Sequence, residues 1–232
     1  MLEIENVRKT FNIKGHKEII EPLNGVNLTI RDGARIGLIG KSGEGKSTLG
    51  RIICGFDRPD EGNILLDGKS LFDKHGKYNR KLGLKIQMIP QQPYQSLDPT
   101  QRVGQAVIET LLVSKNAKRK DARIKAEELF RKVKLDIDLF SRLPQQLSGG
   151  QAQRVVIARC LALKPEIIVS DEATSMLDVS SQALIINLLN EINQRDGVSI
   201  LLISHDELLV KAFSKECYRL SNGFLSQIKA EE

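Results

Sequence analysis

Cysteine is scarce in this 232-residue chain, and the three present, Cys54, Cys160 and Cys217, lie far apart with no CxxC spacing. A disulfide framework and a thiolate zinc site are therefore not organising features, and the thiols read as small buried hydrophobes. No apolar run reaches the ~18–20 residues that crossing a bilayer needs, and the opening MLEIENVRKTF has no apolar segment of a secretory leader. A soluble chain that stays in the cytoplasm is expected. No internal repeat or low-complexity tract is visible. Histidine is rare as well: of three, His16 and His75 lie in polar, loop-like stretches, and only His205 follows an apolar run.

Hydrophobic residues make up 41% of the chain, enough for a substantial core, so disorder is excluded. Lysine and arginine outnumber aspartate and glutamate 35 to 29, giving a net charge of +6. Such a balance suits nucleic acid, an anionic membrane surface or a nucleotide alike, so it selects none of them. Part of it sits in residues 115–120 (KNAKRK), which read as a solvated loop.

Residues 35–39 form a short apolar run leading into GKSGEGKS at 40–47, and a helical pattern follows from Ser47 to Cys54. The octapeptide satisfies G-x-x-x-x-G-K-S/T, and strand, loop and helix in that order are the context that a phosphate loop requires. Background composition yields such a loop in roughly one chain of this length in a hundred. Alone it points only to a bound nucleoside triphosphate. Residues 165–170 (PEIIVS) and 199–204 (SILLIS) are near-continuous apolar runs, as expected of strands buried on both faces of a parallel sheet. Asp171-Glu172 and His205-Asp206 follow them, at the sheet edge where α/β proteins bind ligands. Between the two runs Leu184, Ile185, Leu188, Leu189 and Ile192 recur at helical spacing, a crossover helix facing the core.

Residues 2–7, 26–30 and 63–66 read as strands of a small antiparallel layer, and residues 217–220 and 224–228, joined by Ser221-Asn222-Gly223, as a hairpin. Residues 100–143 have a different character. Val107, Ile108, Leu111 and Leu112 make one apolar stripe; Ala122, Ala126, Leu129, Phe130 and Val133 make another behind Asp121, an expected helix cap. This is a helical insert.

Phosphoryl transfer to water needs charge neutralisation, Mg²⁺ and an oriented nucleophile. In the loop, Gly40, Ser42, Gly43, Glu44, Gly45 and Thr48 surround the phosphates, Lys46 supplies a cation and the Ser47 hydroxyl is placed for Mg²⁺. Asp171, ending an apolar strand, fits a second ligand of that ion.

LSGGQ at 147–151 lies downstream on the same chain, and DEATSMLD at 171–178 places an S-x-L-D after the paired carboxylates. With these the chain resembles the ATP-binding cassette (ABC) family of P-loop NTPases, along nearly its whole length. The resemblance implies an α/β fold with a mainly parallel core sheet, a small antiparallel β layer and a helical insert, all one domain over 1–232 with the insert at about 100–150. It implies ATP and Mg²⁺ as ligands and ATP hydrolysis as the reaction. Ser148, Gly149, Gly150, Gln151 and Asp178 would close over a nucleotide held by a second copy of the fold. Glu172 would polarise the attacking water, although a carboxylate pair after a strand also suits a cap or a surface. His205 matches the residue that contacts the γ-phosphate, against a purely structural histidine. Gln91 would touch Mg²⁺ or the attacking water, with Pro90 in place of the usual aromatic and Ala173 in place of a common proline. Phe11 would stack on adenine, or pack beneath the sheet.

Within the family, PYQSLDP at 93–99 and LSGGQAQRVVIAR at 147–159 look like the ATPases of dipeptide, oligopeptide and nickel importers. The implied partners are two permease subunits, a second ATPase chain forming a homo- or heterodimer and, indirectly, an extracellular or periplasmic binding protein. Nucleic acid is not expected. The implied location is the cytoplasmic face of the membrane. The chain stops soon after its hairpin, without the cysteine-bearing extension of many oligopeptide-type members, so an iron–sulfur cluster is not expected. Tyr94 and Leu97, outside every nucleotide motif, are expected to meet a permease helix and to tolerate charged replacements. The alternative is a non-transport ABC ATPase of a soluble complex.

Overall fold

The computed structural model describes residues 1–12 and 19–228, so His16 lies outside the described residues. In chain order the strands are β1 (Leu2–Asn12), β2 (Ile19–Ile30), β3 (Arg35–Ile39), β4 (Glu61–Leu66), β5 (Lys69–Ser70), β6 (Ile86–Ile89), β7 (Ile167–Asp171), β8 (Ser199–Ile203), β9 (Glu216–Ser221) and β10 (Phe224–Ile228). The α-helices are α1 (Lys46–Ile53), α2 (Arg80–Gly83), α3 (Val103–Val113), α4 (Ala122–Lys132), α5 (Gly149–Ala162), α6 (Val179–Asp196) and α7 (Glu207–Phe213). Two compact units emerge. One comprises residues 1–88, 166–171 and 193–232, the other residues 89–165 and 172–192.

The first unit is built on two sheets. Its larger sheet has the order β10-β9-β3-β8-β7-β6, in which β9, β3, β8 and β7 run parallel and β10 closes one edge as an antiparallel hairpin strand. Every residue of β7 and β8 is buried, including the polar Ser170, Asp171 and Ser199, and their aliphatic residues suit parallel strands covered on both faces. The smaller sheet, β2-β1-β4-β5, is antiparallel throughout. Leu2 and Ile4 of β1, Leu28 and Ile30 of β2, Ile36 and Leu38 of β3 and Leu49, Ile52 and Ile53 of α1 share one hydrophobic core. At ~25 cal/mol per Å² of apolar surface removed from water, this shared core is the main force holding the loop before α1 against both sheets. The hairpin turn is the two-residue Asn222-Gly223, both with positive φ (50° and 80°), as a tight turn matching strand twist demands.

The second unit is helical. Val103, Val107 and Leu111 of α3 and Ala122, Ala126 and Phe130 of α4 are buried, and the Phe130 ring lies 4.9 Å from that of Phe140. Ile108, Leu112 and Leu129 are only half-buried, at the margins of their stripes. Asp121 precedes α4 with helical backbone angles and makes no side-chain cap, which corrects the expected N-cap. A cap needs an extended residue, the conformation that Ser148 and Asp206 adopt before α5 and α7. In α6, Ile185, Leu188, Leu189 and Ile192 are buried and Leu184 is half-buried.

Of the three cysteines only Cys160 is buried, its thiol pushed up to about 12 by desolvation; Cys54 and Cys217 are half-buried, short of the expected core placement. Residues 115 and 118–120 are exposed, as a solvated loop would be. Among the described residues, no helix is long and apolar enough to cross a membrane.

Candidate functional site

In the first unit the chain leaves β3 at Ile39, turns through residues 40–45 and enters α1 at Lys46. Gly45 sits at φ 96°, and a Cβ there would lie 2.5 Å from the Pro22 carbonyl oxygen, so only glycine permits this entry. The turn aims the amino end of α1, with its unpaired N–H groups and positive dipole, into the loop. Lys46 is only 4% exposed, and its Nζ donates to the carbonyl oxygens of Gly40 (2.8 Å) and Lys41 (2.7 Å). The next residue, Ser47, donates its hydroxyl to Asp171 Oδ1 at 2.8 Å, joining α1 to the end of β7. Asp171 is itself buried, 8% exposed. A hydroxyl and a carboxylate oxygen at this spacing are the hard ligands that Mg²⁺ takes alongside water and phosphate oxygens, so the donor set fits that ion. Thr48 is half-buried behind them.

His205 follows β8 and is exposed, with Asp206 capping α7 through Leu209 N–H at 3.0 Å. It joins Lys41, Ser42, Glu44, Arg219 and Ser221 around a cleft of about 450 Å³ at the mouth of the loop. Phe11, on β1, is 40% exposed with Lys9 Nζ 5.2 Å from its ring centre. Phe11 is thus not part of the buried core.

In the second unit Gln91 follows Pro90, directly after β6 ends at Ile89, as the residue before a proline favours. Its Nε2 donates to Glu172 Oε2 at 3.2 Å and to the Ser175 hydroxyl at 3.1 Å. A metal would therefore have to use the Gln91 carbonyl oxygen. Ser175 in turn donates to the Glu172 carbonyl at 3.0 Å. Glu172 has φ 47°, a left-handed conformation uncommon for a side chain of its length.

LSGGQ opens α5. Ser148 accepts from Gln151 N–H at 3.3 Å while Gln151 Oε1 accepts from Ser148 N–H at 2.9 Å, a reciprocal capping box. Ser148 remains exposed, with Gly149 and Gly150 in the first turn. A Cβ on Gly150 would come within 3.0 Å of Ser181 Oγ, so its absence lets the start of α6 approach. Asp178 accepts from the Ser180 hydroxyl (2.5 Å), Ser181 N–H (3.0 Å) and Ser181 hydroxyl (2.7 Å). These donors, the Ser180 hydroxyl first, hold its carboxyl far below the usual range.

Three contacts were not foreseeable in the motifs: Ser175 with Gln91, Gln153 Nε2 with the Pro90 carbonyl (3.1 Å), and Tyr94 hydroxyl with the Leu147 carbonyl (2.8 Å). Arg159 also donates to the Ser96 carbonyl. Gln153 lies between Ala152 and Arg154 in a polar stretch, so no local signal marked its burial. Leu97 is 4% exposed, so a charge there would be buried; the expectation that it tolerates one is corrected, while Tyr94 at 44% remains accessible.

The family model described as ABC transporter matches residues 23–175. The chain is 43% identical over 87% of its length to a peptide import ATP-binding protein of Brucella abortus, and spans about 60% of that relative's length. It is 39% identical over 92% of its length to the oligopeptide transport ATP-binding protein OppF of Streptococcus mutans, covering 70% of it. Among solved structures, the ATP-binding cassette MJ0796, described as dimeric in a post-hydrolysis state with ADP and Pi, superposes with a TM-score of 0.87 at 31% identity, both chains covered fully.

Proposed function

Because the chain belongs to the ABC transporter family, we propose that it binds MgATP and hydrolyses it as the ATP-binding subunit of a peptide importer. The observation that carries the ATPase reading is Ser47 bonded to Asp171 at 2.8 Å beside a lysine folded into the phosphate loop. Lys46 would turn its ammonium to the β/γ oxygens while Gly40, Ser42, Gly43, Glu44, Gly45 and Thr48 surround the phosphates with backbone and hydroxyl donors. Ser47 and Asp171 would hold Mg²⁺, which when bound neutralises phosphate charge. Glu172, kept in place by Gln91, accepts a hydrogen bond from the attacking water and raises its nucleophilicity. His205 would contact the γ-phosphate, and Phe11 would offer a π face to adenine.

Ser148, Gly149, Gly150, Gln151 and Asp178 would serve the nucleotide of a second cassette. The dimeric state reported for the MJ0796 relative supports this. Two permease subunits, a binding protein outside the membrane and a position on its cytoplasmic face complete the reading. Peptide is favoured over a metal chelate as cargo by the names of the relatives above. The test is purification of the native chain from membranes. Two permease subunits and peptide-stimulated, Lys46-dependent ATPase activity are expected; exclusive recovery with soluble proteins would replace the importer with a soluble ABC ATPase.

A further inference from the structure

An acidic residue inside an anion-binding loop is an electrostatic contradiction, since a carboxylate a few ångströms from phosphate repels it. Glu44 occupies such a position, between Gly43 and Gly45. Both of its oxygens are engaged by donors of the protein: Oε2 accepts from Lys41 N–H at 2.5 Å, and Oε1 from the Ser221 hydroxyl at 3.3 Å. The carbonyl of the same Lys41 accepts from Lys46 Nζ, so both backbone polar groups of this residue are tied by charged side chains of the loop itself. Ser221 ends β9 and is anchored in turn, because β9 pairs with β3 and the Gly223 carbonyl accepts from Asn24 N–H at 2.8 Å.

We infer that Glu44 is a positioning residue: its carboxylate clasps the mouth of the phosphate loop to the terminal hairpin and sets the loop's shape before nucleotide arrives. The inference rests on the nucleotide-binding reading of this loop. A preformed loop avoids an ordering cost on binding. The sign of the effect separates this role from one of charge alone. Deleting a negative charge beside phosphate should tighten binding; deleting a clasp should weaken it.

The experiment is a titration of the full chain with the magnesium complex of a non-hydrolysable ATP analogue, together with amide hydrogen exchange across residues 40–47 without nucleotide. Glu44→Ala should bind about tenfold more weakly despite its lost charge, with faster exchange at the Lys41 amide. Glu44→Gln keeps an acceptor for Lys41 N–H and a partner for Ser221 while removing the charge, and should bind at least as tightly as the native chain. Ser221→Ala should fall between the two, and it covers the case in which Glu44→Ala fails to fold. Binding by Glu44→Ala as tight as the native chain or tighter, or unchanged exchange at Lys41, overturns the clasp. Should the native chain bind no nucleotide, the nucleotide reading fails, and exchange at Lys41 still decides the clasp.

Discussion

The phosphate loop of the first unit and residues 90–99 of the second are both irregular segments leaving a strand of the same sheet, yet they are held differently. The loop is fixed by its own backbone and neighbours: Gly45 against Pro22, Lys46 folded onto Gly40 and Lys41, and Ser47 onto Asp171. Residues 90–99 are fixed by side chains from elsewhere, each reaching a main-chain carbonyl or the reverse: Gln153 to Pro90, Arg159 to Ser96, Tyr94 to Leu147. The loop is held where its own helix begins, by Lys46 and Ser47 of that helix's first turn. A segment clasped by the helix it adjoins can report that helix's position, because moving one disturbs the bonds to the other.

The sharpest break in this comparison comes from removing chemistry without shape. Glu172→Gln keeps a partner for the Gln91 amide but loses the carboxylate, so ATP turnover should fall ~10²–10⁴-fold while MgATP affinity is retained. Steady-state ATPase and equilibrium binding on one preparation measure both, and near-native turnover would remove Glu172 from its role. Lys46→Ala should lose nucleotide binding as well as turnover. Losing charge-assisted bonds worth about 1.5–3 kcal/mol weakens nucleotide binding about 10- to 100-fold, readable by the same titration.

Much of this contrast follows from what a linear sequence can carry. The loop, Asp171 and His205 were legible because each follows a near-continuous apolar run, and burial of the aliphatic residues of β7 and β8 is a direct consequence of that composition. Residues 90–99 were legible only as a motif. The Gln91–Ser175 bond spans 84 positions and has no local signature, and neither does the φ of 47° at Glu172. Leu97 looked available because it lies outside every nucleotide motif; its burial depends on packing that periodicity cannot register. Asp121 has the chemistry of a cap without the backbone angles, which tertiary contacts decide.

The clasps themselves can be tested one at a time. Gln153 is fully buried, so Gln153→Leu leaves the Pro90 carbonyl without its donor and should cost about 1–3 kcal/mol of stability. Turnover should fall more than the KM for ATP changes, because Gln91 is the next residue. Tyr94→Phe removes only a half-exposed hydroxyl from the Leu147 carbonyl and should cost about 0.5–1.5 kcal/mol. Urea denaturation orders the two, and equal losses would mean that the clasps do not differ in burial as described.

The smallest effect concerns Asp178, whose carboxyl is held far below its ordinary value by the Ser180 hydroxyl, the Ser181 N–H and the Ser181 hydroxyl. A folded-state value depressed below the unfolded one means that the unfolded chain binds the proton more readily, so lowering the pH draws the equilibrium toward unfolding. Stability from these bonds is fully present above the unfolded aspartate value of about 4 and is lost progressively as the pH falls below it. Asp178→Ala should therefore melt below the native chain at neutral pH, with a difference that narrows as the pH drops through about 4. The group is exposed, and salt should shrink the difference further. A gap in melting temperature that stayed constant from pH 7 down to about 3 would assign the effect to lost packing at the start of α6, since only a titrating carboxylate can make it vary with pH.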